Sequence, residues 1–107
     1  MSMVFKALAD PTRRHVLQLL REGPKSAGEL ADHFPVSKPT MSAHFAVLRE
    51  AGLVQSEKHG KGVIYRLRMS VLEEALLEFT RLFGLDLTAR TEPGAADAAA
   101  PIRKETP

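Results

Sequence analysis

The run SKPTMSAH, residues 37–44, collects hydroxyls, one ammonium and one imidazole in a short space. Ser37, Thr40, Ser42 and His44 can donate or accept hydrogen bonds, Lys38 carries a positive charge, and Ala43 offers only a methyl group. These residues do not suggest bond-making chemistry. The chain has no cysteine, no glycine-rich phosphate loop and no run with metal-ligand spacing, and its serines have no identifiable His/Asp partnership. The chemistry left to them is non-covalent recognition: small polar side chains that let a backbone lie close to a polar, anionic surface. Further along the same run, Met41, Phe45 and Leu48 recur at i, i+4 and i+7. One face of this helix is therefore meant for a core, while its front end stays polar.

The surrounding elements must hold that front end outward. Residues 3–9 read as a short helix with Val4, Phe5 and Leu8 on one face. Asp10 and Pro11 open a second helix, which carries Val16, Leu17 and Leu20 inward and stops at Gly23-Pro24. Ser26 and Glu29 have capping-box spacing, and the helix they start presents Ala27, Leu30, Ala31 and Phe34 as far as Pro35. Ser37 caps the next helix and Gly52 ends it. Residues 63–67 alternate, with Val63, Tyr65 and Leu67 on one side, and LVQSEK before them is a weaker strand; HGKG is the hairpin loop between them. Ser70 is placed to cap a last helix with Leu72, Ala75, Leu76, Phe79, Leu82 and Phe83 in one stripe. The order is α-α-α-α-β-β-α, mainly helical with a small β-hairpin. From about residue 88 the chain turns to Ala, Pro, Thr and charge, which predicts a disordered tail over 88–107 after one domain over 1–87.

Two helices joined by the short turn FPVS form a helix-turn-helix, in which the second helix enters the major groove of double-stranded DNA and its N-terminal residues meet base edges. On that reading the helix N-terminus and Ser37 meet phosphate. Lys38 serves phosphate or guanine, Thr40 and Ser42 reach base edges, and Ala43 sits against a thymine methyl. His44 either contacts phosphate or bonds inside the domain. The hairpin, with Lys58, His59 and Lys61, is placed as a wing along the backbone or in the minor groove. Arg13 and Arg14 either touch the nucleic acid or pair with Asp10, Glu29 or Asp32.

Charge agrees with this layout. The net charge is only +2, yet residues 1–69 hold 11 Lys and Arg against 6 Asp and Glu, so the positive charge lies in the segment with the polar helix end. No apolar run is long enough to span a bilayer, and the opening residues lack a signal peptide's apolar region, so the expected setting is the cytoplasm, at the nucleoid.

FKALADPTRRHVLQLLREG, SAGELADHFPVSKPTMSAHFAVLREAGLV and HGKGVIYRL together resemble the ArsR family of bacterial winged helix-turn-helix repressors, over residues 4 to about 83. The pattern that carries the resemblance falls on Ser37, Met41-Ser42, His44, Phe45, Leu48 and Ala51-Gly52-Leu53-Val54. The resemblance implies a homodimer built from the first and last helices, here through Val4, Phe5, Leu8, Leu72, Leu76, Phe79 and Phe83, that represses transcription from a palindromic site in promoter DNA. Many members sense metals through cysteines on the helix before the reading helix. Ser26 and Gly28 stand at those positions here, and the last helix has Glu73, Glu74 and Glu78 but no histidine. The expectation is no cofactor and no metal, and the opening FKALADPTRR is most similar to the SdpR-like autorepressor branch. A ligand- or metal-responsive sensor of the same fold and a winged-helix module that binds only protein are the alternatives; an enzyme is not expected, and any small-molecule or protein inducer is unknown.

Overall fold

The computed structural model describes residues 2–85, so the tail expected from residue 88 lies outside the described residues. Helix α1 covers Ser2–Leu8 and α2 covers Pro11–Leu20. Strand β1 is the pair Lys25–Ser26, followed directly by α3 at Ala27–Ala31. Helix α4 covers Lys38–Glu50, β2 Val54–His59, β3 Gly62–Leu67 and α5 Met69–Leu82. The chain divides into two compact units at Ala75–Leu76, inside α5.

The helix starts follow their capping chemistry. Asp10 is extended and accepts the backbone N–H of Arg13 at 3.1 Å, with Pro11 in the first turn. Ser26 and Glu29 close a reciprocal box, at 3.0 Å and 2.8 Å. Caps of this kind contribute about 1 kcal/mol each. Helix α4 ends in a left-handed turn: Gly52 has φ +79°, its N–H bonds Arg49 O at 3.0 Å, and Leu53 N–H reaches back to Leu48 O at 3.1 Å. Leu48 and Leu53 are both fully buried, which locks the exit of the helix to the core.

The three strands run in the order β1-β3-β2, all antiparallel, with Val54 opposite Leu67, Ser56 opposite Tyr65 and His59 opposite Gly62. The hairpin is thus tighter than the HGKG loop expected from sequence: only Gly60 and Lys61 lie between paired residues, and Gly60 takes φ +58°. In the first unit the core gathers Val16, Leu17, Leu20, Leu30, Met41, Phe45, Leu48, Leu53 and Tyr65, with the rings of Phe45 and Tyr65 4.8 Å apart.

Further elements differ from what the sequence predicts. Strand β1 is absent from that reading. It pairs Lys25 with Tyr65 and Ser26 with Ile64, so Ser26 both closes the sheet and opens α3. Helix α3 stops at Ala31 rather than running on to Phe34. Its end tightens into bonds from His33 N–H to Leu30 O and Phe34 N–H to Ala31 O, because Pro35 disfavours helical backbone at the residue before it. Helix α5 begins at Met69, so Ser70 lies within its first turn and is not the cap; the entry is held by Arg68 N–H on Leu53 O at 2.8 Å.

With α3 and α4 as the helix pair and β2–β3 as the wing, the fold is a winged helix-turn-helix. No described helix is long and apolar enough to cross a membrane.

Candidate nucleic-acid interface

Helix α4 has two surfaces. Met41, Phe45 and Leu48 are 1%, 5% and 0% exposed and anchor it in the core. Ser37, Lys38, Pro39, Thr40, Ser42 and Ala43 are all exposed and occupy its N-terminal end. The periodicity forces this split: residues four apart share a face, and here Met41, Phe45 and Leu48 fall on the same one.

The front end is ordered before anything binds. Ser37 is extended (φ −69°, ψ 158°), accepts Thr40 N–H at 3.3 Å and donates to Thr40 Oγ1 at 2.9 Å. Two hydroxyls expected to act as separate contacts are therefore coupled, and a ligand meets them as a unit. The first-turn N–H groups of α4 have few internal acceptors and sit at the positive end of the helix dipole. Lys38 makes no ion pair among the described residues. With Ser42, Met41, Phe45, Ala27, Gly28 and Ala31 it lines an open groove of about 210 Å3 between α3 and α4.

His44 differs from its neighbours. Its side chain is only 16% exposed, and its Nδ1 lies 3.3 Å from Arg13 Nη1 and 3.9 Å from Asp10 Oδ2. Of the two readings left open by the sequence, the structure favours the internal one. Arg13 and Arg14 form no ion pair with an acid among the described residues: half-buried Arg13 donates to Ala7 O at 2.8 Å and Lys6 O at 2.9 Å, and exposed Arg14 donates to Leu8 O at 2.8 Å. These carbonyls end α1 and lack partners within it. Burial opposes the charge on Asp10, but the Arg13 backbone N–H, His44, the Thr12 backbone N–H and the Arg13 charge outweigh it, so its carboxyl is held below the ordinary carboxylate range. Glu29 is also lowered, mainly by the Ser26 backbone N–H and hydroxyl.

The wing is exposed throughout its tip. Lys58, His59 and Lys61 all face solvent. Glu57 does not stand out in the sequence, yet it lies 3.5 Å from His59 Nε2 and 3.8 Å from Arg66 Nε. It partly neutralises the strand side of the wing and leaves Lys58 and Lys61 as its uncompensated charges.

The residues expected at a dimer surface are not alike. Val4 is 6% exposed and packed into the core of the first unit. Phe5, Leu8 and Leu72 are half-buried against the core. In the second unit Leu76, Phe79 and Phe83 are exposed, as are Leu77 and Leu82, which lie outside the expected set; the rings of Phe79 and Phe83 meet at a tilt of 49° with centroids 4.8 Å apart. Among the described residues no three His, Cys, Asp or Glu side chains gather as a metal site would require, and Ser26 is engaged in its capping box.

Residues 10–56 match the family described as bacterial regulatory protein, arsR family. Over 76 residues the chain is 41% identical to the transcriptional repressor SdpR of Bacillus subtilis, a match covering 71% of this chain and 84% of that one. Over 84 residues it is 38% identical to the HTH-type transcriptional regulator Rv2034 of Mycobacterium tuberculosis, covering 78% of each. Among solved structures, an ArsR-like transcriptional regulator from Rhodococcus superposes with a TM-score of 0.70 at 34% identity, over 78% of this chain and 76% of that one.

Proposed function

The chain belongs to the ArsR family of bacterial regulatory proteins, and from that premise we propose that it represses transcription by binding double-stranded promoter DNA. The family is one of transcriptional regulators and not of enzymes, in keeping with a surface that offers hydrogen bonds and charge but no reacting group.

The observation that carries the proposal is the division of α4: a back face fixed in the core and an exposed, capped front end of small polar residues with one unpaired lysine. In the major groove, Ser37 and the helix N-terminus take a phosphate, Lys38 takes phosphate or guanine, Thr40 and Ser42 meet base edges, and Ala43 lies against a thymine methyl. Lys58, His59 and Lys61 bring the wing to the backbone. The repressor acts as a homodimer through its first and last helices, supported by the exposed leucines and phenylalanines of α5. Two reading helices then require half-sites about one helical turn apart, roughly 10 bp, or a multiple of that. Its place is the cytoplasm, at the nucleoid, and it works without a thiolate metal site.

The test is fluorescence anisotropy of the purified protein on DNA from its own upstream region and on scrambled DNA, over a salt series. The proposal expects preference for the upstream DNA, with log affinity falling linearly against log salt. Equally weak binding to both, with no footprint on other promoter fragments, would count against it.

A further inference from the structure

Met41, Phe45 and Leu48 seat α4 in the core, but the hydrophobic effect is non-directional, so packing sets the roll of the helix less sharply than a hydrogen bond does. A reading helix cannot tolerate that, because one residue is about 100° of turn and a small roll carries Ser42 and Ala43 off the bases they face. A directional contact sharpens it. Among the described residues, the polar contact that joins α4 to another helix is the one between His44 and the Asp10–Arg13 corner of α2.

We propose that Arg13 is the positioning residue of the reading helix, a three-way tie that fixes the roll of α4 against the end of α1. This rests on the DNA-binding reading above. Arg13 sits in the first turn of α2 and its guanidinium has three acceptors in three places: Ala7 O at 2.8 Å through Nε, Lys6 O at 2.9 Å through Nη2, and His44 Nδ1 at 3.3 Å through Nη1. The planar fork of an arginine can reach all three at once; the single ammonium of a lysine cannot. The root of the arginine is fixed as well, since its own backbone N–H is the group that Asp10 caps at 3.1 Å.

The tie also dictates the proton arrangement of His44. A guanidinium only donates, so in the neutral ring the tie needs Nδ1 as the acceptor and the ring proton on Nε2. Asp10 Oδ2, at 3.9 Å from the same nitrogen, is too far for a hydrogen bond. The device therefore connects two tasks. Helix α1, proposed for dimer contact, ends at the carbonyls Arg13 holds, and α4, proposed to read DNA, is held by the same side chain. A shift of α1 is transmitted to the reading helix through one residue that need not touch DNA.

The test separates this role from a direct DNA contact and from mere stability. Asparagine places its amide oxygen the same number of bonds from the backbone as Nδ1, and glutamine places its amide group where Nε2 stands. His44→Asn should therefore keep affinity for upstream DNA near wild type, while His44→Gln and His44→Leu should weaken it. Arg13→Met should weaken it roughly ten- to a hundredfold, as expected for loss of hydrogen bonds from a charged group. The log–log salt slope should stay unchanged, because the phosphate contacts remain in place; removing one of them would lower the slope by about 1. Arg13→Met with His44→Leu should cost little more than either alone. If His44→Gln binds like wild type and His44→Asn does not, the imidazole serves DNA and the proposal falls. A slope lowered by about 1 in Arg13→Met, or loss of thermal stability with unchanged affinity, also overturns it.

A second arm needs no DNA. Nitrogen NMR of the free wild-type protein should find Nδ1 of His44 unprotonated and Nε2 protonated, a preference that relaxes in Arg13→Met. A proton on Nδ1 in the neutral wild-type ring would overturn the tie even if DNA binding is strong. The predicted ring signature in a protein that binds no DNA would instead uphold the tie and count against the repressor reading.

Discussion

The front of α4 and the tip of the wing are both exposed and both carry unpaired positive charge, yet they are built differently. Behind the helix front lie Met41, Phe45 and Leu48, a hydroxyl pair at Ser37 and Thr40, and the glycine exit at Gly52. The wing tip has ladder hydrogen bonds and a two-residue turn, and every residue from Gln55 to Gly62 faces solvent. A rigid surface can discriminate between base edges, because a misfit cannot be absorbed by movement. A charged hairpin with little packed behind it can supply attraction that depends little on sequence. On the proposed DNA-binding reading, the contrast gives specificity to the helix and salt-dependent affinity to the wing.

The largest expected effect comes from removing what backs the helix. Leu48→Ala should cost about 2–5 kcal/mol, seen as a fall in the denaturant midpoint, and DNA binding should fail with it. The matching change on the opposite face, Thr40→Ala, should leave global stability nearly intact and lose about 1–3 kcal/mol of discrimination, measured as the affinity ratio for intact over mutated operator. Equal stability losses in the two would mean that α4 has no division of faces.

Next is the helix exit. Gly52→Val places a β-branched side chain at φ +79°, where its Cβ would also meet Val71 Cγ1 at 3.8 Å. The backbone strain should cost about 1–3 kcal/mol in thermal unfolding. In the wing, Lys58→Ala with Lys61→Ala should weaken binding to upstream and scrambled DNA alike, with no change in melting temperature. The salt slope should fall by about 1 for each phosphate that the pair no longer neutralises. A selective loss on the upstream DNA would move part of the specificity into the wing.

The smallest effect concerns acid. Asp10 has a depressed folded-state pKa, so the unfolded chain takes up its proton first as pH falls. The stability this group contributes is present at neutral pH and lost as pH drops through the folded-state value. Asp10→Asn keeps a capping oxygen but cannot titrate, so its unfolding free energy should depend less steeply on pH in the acid range than that of wild type.

The parts of the fold that show in sequence are those with local causes. Asp10-Pro11, the Ser26/Glu29 box, Ser37 and Gly52 each act through neighbours within a few residues, and each stands where the sequence puts it. Strand β1 could not be read, because two residues carry no period and its partner lies about forty residues away. The same holds for the Arg13–His44 contact, which spans 31 residues. The type of Arg13 hints at salt bridges, but its geometry sends it to carbonyls. In the candidate site, the polar front of α4 is legible because it interrupts an apolar repeat. The coupling of Ser37 to Thr40 and the place of Glu57 beside His59 depend on side-chain geometry that spacing does not encode.

The central claim, that this surface binds DNA and does not dock a protein, is tested most directly by reversing its charge. In a variant carrying Lys38→Glu and Lys61→Glu, binding to upstream DNA should collapse in an anisotropy titration at low salt, while sedimentation and circular dichroism match the wild-type protein. Undiminished DNA binding by that variant, with its fold intact, would contradict the account.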